Sequence, residues 1–529
     1  MTVAGIDRVF ERRLAALVNS GERGVLRGGR KGIEKESLRV TPQGRIAPTP
    51  HPPALGSALA NEHVTTDYSE ALLELITPAF AETWQLLQYL VDLHEFVYKH
   101  IGEELVWATS MPCALDGDGS IPIAEYGASN VGRMKHVYRR GLGLRYGRVM
   151  QAIAGVHFNY SFPERLWPVL HEAWQARAQG QDFVDEAYFA LLRNYRRHGW
   201  LILYLFGASP AVCRSFFKGR PLATGLEELD PHTLHAPYAT SLRMSDLGYR
   251  NSSQAGFSVS VNSLADYTRD LEALVFTRSP EYAQHGVVVD GEWRQLSDSV
   301  LQIENEYYSF IRPKRTARSG ERPTRALRRA GVEYIEMRSL DVGIFDPVGV
   351  NQNKMRFLEA FAALCLLKES PPIQRSEEQA LDGNHVRVAR EGRRPGLALQ
   401  FEGRPRPLAT WAGQLLDEMD GICEILDEGD GTRPYAAALE AQRRKLEDVE
   451  RTASARVLRE LRENGESFFR FALRLSREHK SYFLELHPPN GATMEAFAEE
   501  AAQSLEAQRR IEAADRISFE EFVAAWYER

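Results

Sequence analysis

Short segments in which acidic and apolar residues alternate recur along this chain of 529 residues, and they constrain its fold more than any other feature. In a β-strand successive side chains point to opposite faces. The segment VEYIEMRSLD, Val332 to Asp341, then presents Tyr334, Glu336 and Arg338 on one face and Ile335 and Met337 on the other. GIEKESLRV sets Glu34 and Glu36 against Ile33 and Lys35. MQAIAGVHFNYSFP sets Gly155, His157, Asn159 and Ser161 against Val156, Phe158, Tyr160 and Phe162. LQIENEYYSFIRPKR alternates as well, with Gln302, Glu304, Glu306 and Tyr308 on one side and Ile303, Asn305 and Tyr307 on the other. VTTDYSEALLELITP fits two readings: a helix capped by Thr66 or Asp67, with Asp67, Glu70 and Glu74 on one face, or a strand from Glu70 to Thr77.

Each segment alone fits a half-exposed sheet with cross-strand salt bridges. Together they demand more. If the polar faces converge inside one antiparallel sheet, that much negative charge is tolerable only around divalent cations. Carboxylates outnumber His and Cys in these segments, which points to magnesium or manganese and away from zinc. Arg338 stands two residues from Glu336, and RPKRTARSGE, read as a loop, adds Arg312, Lys314, Arg315 and Arg318 as candidate phosphate contacts. The chain contains no GxxxxGK[ST] motif and no kinase signature set.

Composition narrows the class of function. Hydrophobic residues make up 43% and charged residues 26%, as in soluble globular proteins, and a net charge of -7 argues against a nucleic-acid surface or a polybasic membrane anchor. No apolar run approaches the roughly 18 residues of a membrane span. The opening MTVAGIDRVFERRLAALV is charged within its apolar stretch and reads as an amphipathic helix, with no signal peptide. The four cysteines, Cys113, Cys213, Cys365 and Cys423, show no metal-ligand spacing, so packing thiols in a reducing cytoplasm are expected.

Elsewhere, AETWQLLQYLVDLHEFVYKHIGEELVW reads as one long amphipathic helix. Met111 to Tyr146, rich in Gly, Arg, Lys and Tyr, fits equally a mobile cover over an anionic ligand or an ordinary basic surface loop. APYATSLRMSDLGYRNSSQ crowds Arg243, Ser245, Asp246 and Tyr249, which suits either recognition of a zwitterion or a loop with Asx turns and surface charges. HGVVVDGEWRQL predicts a hairpin turning at Asp290-Gly291. From Asn351 onward helices dominate, and those from Pro407 to Arg529 read as scaffold. The expected organisation is one catalytic unit over 1–529, with a sheet-containing core over 1–400 and a mainly helical part over 401–529.

GIEKESLRV, TTDYSEALLELITP, YGASNVGRMKHVYRRGL, GVHFNYSFP, YLFGASPAV, PYATSLRMSDLGY, LQIENEYYSFIRPKR and VEYIEMRSLD occur in order between Gly32 and Asp346. Together they resemble the proteobacterial-type glutamate–cysteine ligase family. The resemblance implies an α+β, glutamine-synthetase-like fold, a curved antiparallel sheet forming a funnel surrounded by helices. It implies that Glu34, Glu74 and His157 hold one magnesium and Glu36, Asp67 and Glu336 another, with manganese as a substitute. Arg338 would contact the transferring phosphoryl group beside Glu336, with Arg312 and Lys314 toward the ATP phosphates. Tyr138, Arg243, Tyr249 and Tyr308 would form the amino-acid pocket. The implied reaction joins the L-glutamate γ-carboxylate to the L-cysteine amine through a γ-glutamyl phosphate, giving γ-glutamylcysteine, ADP and phosphate, the first step of glutathione biosynthesis. The partners expected are small molecules, with no nucleic acid or membrane, for a cytoplasmic monomer or weak oligomer.

Overall fold

In the computed structural model, which describes residues 7–22, 24–248, 257–318, 320–486 and 491–528, the alternating segments do meet in one sheet. Its first members are β1 (Arg30–Val40), β2 (Val64–Thr66), β3 (Leu72–Ile76), β4 (Leu105–Val106) and β5 (Val156–Ser161). A separate three-stranded sheet follows, made of β6 (Ala211–Cys213), β7 (Glu227–Asp230) and β8 (Thr233–His235). Then comes the hairpin β9 (Val288–Val289) and β10 (Glu292–Trp293), turning through Asp290 and Gly291 at φ 53° and 79° as the sequence predicts. β11 (Ile311–Lys314) and β12 (Tyr334–Leu340) return to the main sheet, and β13 (Ala398–Phe401) with β14 (Arg404–Pro407) forms a last hairpin.

The main sheet runs β11-β12-β5-β1-β3-β2, antiparallel throughout, with β4 against the far end of β1. Its register decides what shares a face, because residues directly opposite in an antiparallel pair point the same way. Ile311, Met337, Phe158 and Ile33 follow one another across four strands, each at most 1% exposed. Removing each of these side chains from water contributes about 1.5–3 kcal/mol, and a one-residue slip would forfeit all four. The opposite face carries Glu36 beside Glu74, Glu34 beside His157, and Arg312, Glu336 and Asn159 in one row. Of the two readings for residues 64–78, the strand holds for Leu72–Ile76 and takes Glu74 with it.

Helices close the apolar face. Glu359, in the buried stretch of the Gln352–Leu367 helix, accepts hydrogen bonds from Lys31 Nζ at 2.8 Å and the Tyr160 hydroxyl at 3.2 Å. Lys35, between the two acids of β1 but on the other face, meets His94 Nε2 of the Thr83–His100 helix at 2.7 Å. Burial brings the Lys35 ammonium down to about 7.

Four expectations fail locally, each for a physical reason. The long helix predicted over residues 81–107 stops at His100, because Leu105 and Val106 complete the ladder on β1. Residues 301–310 are not a strand: Glu304–Glu306 is a single 3₁₀ turn, and only Ile311–Lys314 extends, so Arg312 and Lys314 sit on a strand and not in a loop. The stretch read as a mobile cover or surface loop contains the Asn130–Tyr146 helix, capped by Ser129, whose hydroxyl accepts from Gly132 N. Two of its glycines permit close approach: a Cβ on Gly141 would lie 2.2 Å from Gln302 Oε1, and one on Gly143 2.4 Å from the Tyr68 hydroxyl. Finally, Cys113 and Cys213, 100 residues apart, form a disulfide, while Cys365 and Cys423 are buried free thiols as expected. Spacing in sequence carries no trace of that pairing, which depends on β6 lying beside the loop after β4.

Candidate active site

The polar face of the sheet floors a cavity of about 790 Å³, walled by the Asn130–Tyr146 helix, the 3₁₀ turn and the entrance to the Pro323–Ala330 helix. Glu34, Glu36, Asp67, Glu74, His157, Glu336, Arg338, Arg312, Lys314, Tyr138 and Tyr308 all line it. Thus eleven of the thirteen residues singled out from sequence converge on one space, brought from segments that span residues 34 to 338.

At its centre stand Glu34, His157 and Glu336, which offer one atom each within 4.8 Å of one another. His157 Nδ1 lies 3.0 Å from Glu34 Oε2 and 3.9 Å from Glu336 Oε1, and its Nε2 lies 3.8 Å from Glu36 Oε1. Asn159 Nδ2 donates to Glu34 Oε1 at 2.8 Å, and Gly155 N to Glu36 Oε2 at 2.6 Å. The triad pairs His157 with Glu34 and Glu336, a different partition from the Glu34, Glu74, His157 set that the resemblance implies. The register explains it: His157 is opposite Glu34, while Glu74 is opposite Glu36 on the far side of β1.

Charge is distributed unevenly over this floor. Burial pushes the Glu336 carboxyl up, but Arg338, Lys314, His157 and Arg312 hold it well below the ordinary carboxylate range. Arg338 Nη1 is 3.0 Å and Lys314 Nζ 3.3 Å from Glu336 Oε1. At Glu34, burial pushes the carboxyl up, but the hydrogen bond with His157 together with the charges of His157 and Lys314 brings its pKa down. Glu74 behaves oppositely: burial, then Glu34, Asp67 and Glu36, drive it well above the usual range. Burial and the neighbouring Asp67 also raise Glu36. The β1–β3 side of the floor is therefore a surplus of negative charge, and the β12–β11 side is cationic.

Two orphaned atoms show what fits there. Among the described residues, Glu336 Oε2 and Arg338 Nε are buried without a hydrogen-bond partner. A carboxylate oxygen without a donor fits a cation, and a guanidinium N–H without an acceptor fits an anion. The donor set, carboxylates with one imidazole, suits magnesium or manganese.

Not every predicted residue joins the cavity wall. Arg243 is 3% exposed and donates to the carbonyls of Leu340 and Arg338, both at 3.1 Å, where β12 bulges away from β5. It fills the gap left by the broken ladder, and Gly155 makes room, since a Cβ there would lie 2.0 Å from Arg243 Nη2. Tyr249 lies outside the described residues. Glu304 and Glu306, counted among the candidate acids, are held by other partners, although Glu306 still lines the cavity. Glu304 Oε1 accepts from Arg322 Nε and Thr324 Oγ1, and Glu306 Oε1 from Arg145 Nη1 at 2.9 Å and the Tyr146 hydroxyl. Arg315 is likewise engaged, donating from Nε to Gly331 O.

Among the wall residues that sequence reasoning missed are Arg139, Lys135 and Trp526. Arg139 donates from Nε to Asp67 O and reaches Asp67 Oδ1 at 3.8 Å, and Lys135 stands one turn before it. Both were hidden in a stretch read as a cover or a surface loop. Trp526, near the end of the chain, also lines the cavity, although its helix reads as scaffold. No local signal marks it.

A family model for glutamate-cysteine ligase matches residues 14–388. The chain belongs to the glutamate–cysteine ligase family. It is 50% identical to the glutamate–cysteine ligase of Pseudomonas putida over 495 residues, 94% of each chain. It is also 50% identical to that of Azotobacter vinelandii over 525 residues, 98% of each. Among solved structures, the glutamate–cysteine ligase of Francisella tularensis in complex with AMP superimposes with a TM-score of 0.89 at 35% identity, covering 95% of this chain and 98% of that one. A bifunctional glutathione synthetase from Pasteurella multocida, at 24% identity, shares the fold with a TM-score of 0.71, over 91% of this chain and 55% of that one. The family membership spans the sheet and every cavity residue named from β1 to β12.

Proposed function

We propose that this ligase joins the γ-carboxylate of L-glutamate to the amine of L-cysteine at the expense of ATP, releasing ADP and phosphate. The observation that carries the chemistry is the pairing of a carboxylate-imidazole triad with Arg338 and Lys314 in one cavity, with Glu336 Oε2 and Arg338 Nε left unpartnered. Family membership supports the choice of substrates, and the Francisella relative in complex with AMP supports a nucleotide. The reading includes the sheet as a glutamine-synthetase-like funnel within a single catalytic unit.

Amide formation from a carboxylate and an amine is uphill in water. The glutamate γ-carboxylate oxygen therefore attacks the γ-phosphorus of ATP, ADP leaves, and a γ-glutamyl phosphate results. The cysteine nitrogen, after losing a proton, attacks its acyl carbon and phosphate departs. Glu34, His157 and Glu336 would hold one magnesium, and Glu36, Asp67 and Glu74 a second. Bound there, the ions supply charge neutralisation for the phosphates.

The chain's own groups do the rest. Arg338, fixed by Glu336, presents a guanidinium N–H to the transferring phosphoryl group without reorganising. Lys314 and Arg312 hold the phosphates beyond it along β11. Tyr138 and Tyr308 line the amino-acid end. Arg243 supports this end by holding the β12 bulge. Arg139, beside Asp67, offers a second guanidinium for a substrate carboxylate.

ADP release by purified protein with magnesium, ATP and L-glutamate, with and without L-cysteine and with other amines, tests the proposal. The expected result is cysteine-dependent release with a product of the mass of γ-glutamylcysteine. Release driven equally by another amine would overturn the assignment of cysteine.

A further inference from the structure

Of the six residues assigned to the two metals, five take their places from the sheet. Glu34 and Glu36 stand on β1, Glu74 on β3, His157 on β5 and Glu336 on β12, where strand pairing fixes the direction of each side chain. Asp67 does not. It follows the last residue of β2, in the bend before β3, and its side chain is 36% exposed, against 18% for Glu34 and 5% for Glu36. Its N–H still reaches β3, donating to Leu72 O at 3.0 Å. Its carbonyl side is held from elsewhere.

Tyr126 supplies that hold. The ring is 1% exposed, packed in a small cluster with Ala58 and Ala124. Its hydroxyl lies 2.7 Å from Thr66 O and 2.9 Å from Asp67 O, the carbonyls on either side of the Asp67 α-carbon, and accepts from Thr66 Oγ1 at 3.2 Å. The ring has a second engagement. The Arg139 guanidinium lies 4.6 Å from its centroid and Lys135 Nζ 5.0 Å, and Arg139 Nε donates to the same Asp67 carbonyl. The three groups therefore close on one another, with Arg139 Nη2 3.8 Å from Asp67 Oδ1.

The helix brings its cations to this ring because of one glycine. A Cβ on Gly132 would lie 2.3 Å from Tyr126 O, so any side chain there would push the Asn130–Tyr146 helix away. Gly132, Lys135 and Arg139 are three and four residues apart and share a helix face. His136 adds a tie beside them, its Nδ1 3.0 Å from Ala124 O. Tyr126 itself does not line the cavity, whereas Asp67, Lys135 and Arg139 do.

We propose that Tyr126 is a positioning residue for the reaction, its hydroxyl placing Asp67 and its ring placing Arg139. The one metal ligand that the sheet does not fix and a guanidinium of the facing helix are thereby set against each other by a side chain that touches neither metal nor substrate. This rests on the assignments of Asp67 to a metal and Arg139 to a substrate carboxylate, and the test separates them from it.

Tyr126→Phe, which loses only the hydroxyl, Tyr126→Leu, which loses the ring as well, and Asp67→Asn are compared with the parent full-length protein. Binding of Mn2+ alone is titrated by the paramagnetic resonance of the free ion, and KM values are read in the ADP-release assay. Tyr126→Phe is expected to weaken Mn2+ at one site about threefold to tenfold, the equivalent of one lost hydrogen bond, and to leave the KM for both amino acids within about twofold. Tyr126→Leu should also raise the KM for one amino acid about fivefold, the equivalent of one cation–π contact. Asp67→Asn should weaken Mn2+ more than either. If Asp67→Asn weakens Mn2+ and Tyr126→Phe leaves it unchanged, the inference is wrong and the metal assignment stands; a lowered unfolding midpoint with unchanged Mn2+ binding gives Tyr126 a structural role only. If Tyr126→Phe raises the amino-acid KM as far as Tyr126→Leu does, the ring is not what places Arg139. If Asp67→Asn leaves Mn2+ unchanged, Asp67 is not a ligand and the inference falls with that assignment. Tyr126→Phe, its fold checked by its unfolding midpoint, decides the role of the hydroxyl even where Tyr126→Leu does not fold.

Discussion

Gly141→Ala places a methyl group in space already taken by Gln302. The added Cβ would stand 2.2 Å from Gln302 Oε1, 2.7 Å from Cδ and 2.7 Å from Nε2, so the amide must move as a whole. It is not free to do so. Gln302 Oε1 accepts from Leu296 N at 2.9 Å, and Nε2 donates to Tyr138 O at 3.2 Å. Overpacking costs about 1–3 kcal/mol, and leaving the buried Leu296 N–H without its acceptor costs about 1–3 kcal/mol more. Against this, alanine in a helix gains about 1 kcal/mol over glycine. The net loss is about 1–5 kcal/mol.

Gly383→Ala supplies the control. Gly383 sits exposed in the Arg375–Glu391 helix with nothing within 4 Å of an added Cβ, so only the propensity gain of about 1 kcal/mol remains. Urea unfolding followed by tryptophan fluorescence should move the two midpoints in opposite directions. The Gly141 variant should also raise a substrate KM, because Tyr138 and Arg139 share its helix and wall the cavity. If Gly141→Ala gains stability like the control and keeps its KM values, the helix does not pack on Gln302 as described.

Other variants probe the floor and the scaffold. Arg338→Ala should lower kcat by about 10²–10³, the loss expected for one preorganised donor to a developing charge, with an unchanged circular dichroism spectrum; kcat within tenfold of the parent would dismiss Arg338 from the reaction. Cys113→Ser should lower stability by about 2–5 kcal/mol, and a reductant should reproduce the loss in the parent but not in the variant; equal midpoints with and without reductant would mean that the bridge holds nothing. Burial, with Lys35 nearby, lowers His479 to about 4. Its folded pKa is below its unfolded value near 6.5, so its contribution is complete above pH 6.5 and is lost as the pH falls toward 4, by at most about 3 kcal/mol. His479→Gln should flatten the decline of the unfolding midpoint across that window, and an unchanged slope would remove His479 as its source.

The sheet and the floor of the site were readable because strand alternation is local. Knowing only that Val332 to Asp341 is extended, one knows that Glu336 and Arg338 share a face. The same logic misled at Glu304 and Glu306, which do alternate but are drawn into a turn by Arg322 and Arg145. Those partners lie 18 residues after Glu304 and 161 before Glu306, and alternation says nothing about them. Glycine was ambiguous in another way. At Gly141 it marks contact with a neighbour, and from sequence that looks the same as flexibility. Arg243 and Trp526 show the converse limit, since burial under a bulge and exposure to a cavity are both decided by elements remote in the chain.

The strand order also sets a timetable. β5 pairs with β1 on one side and with β12 on the other. A growing chain that has reached residue 161 can therefore join β5 to β1, but the other edge of β5 waits until residue 340 has emerged. During that interval Phe158 and Ile33 belong to an incomplete sheet with an open edge, a template for pairing with another chain. Synthesis of the 179 residues between them is the period of greatest hazard, about 10–35 seconds at ordinary elongation rates of 5–20 residues per second. Conditions that slow translation between residues 161 and 340 should divert this protein into aggregates more readily than an equal delay later in the chain.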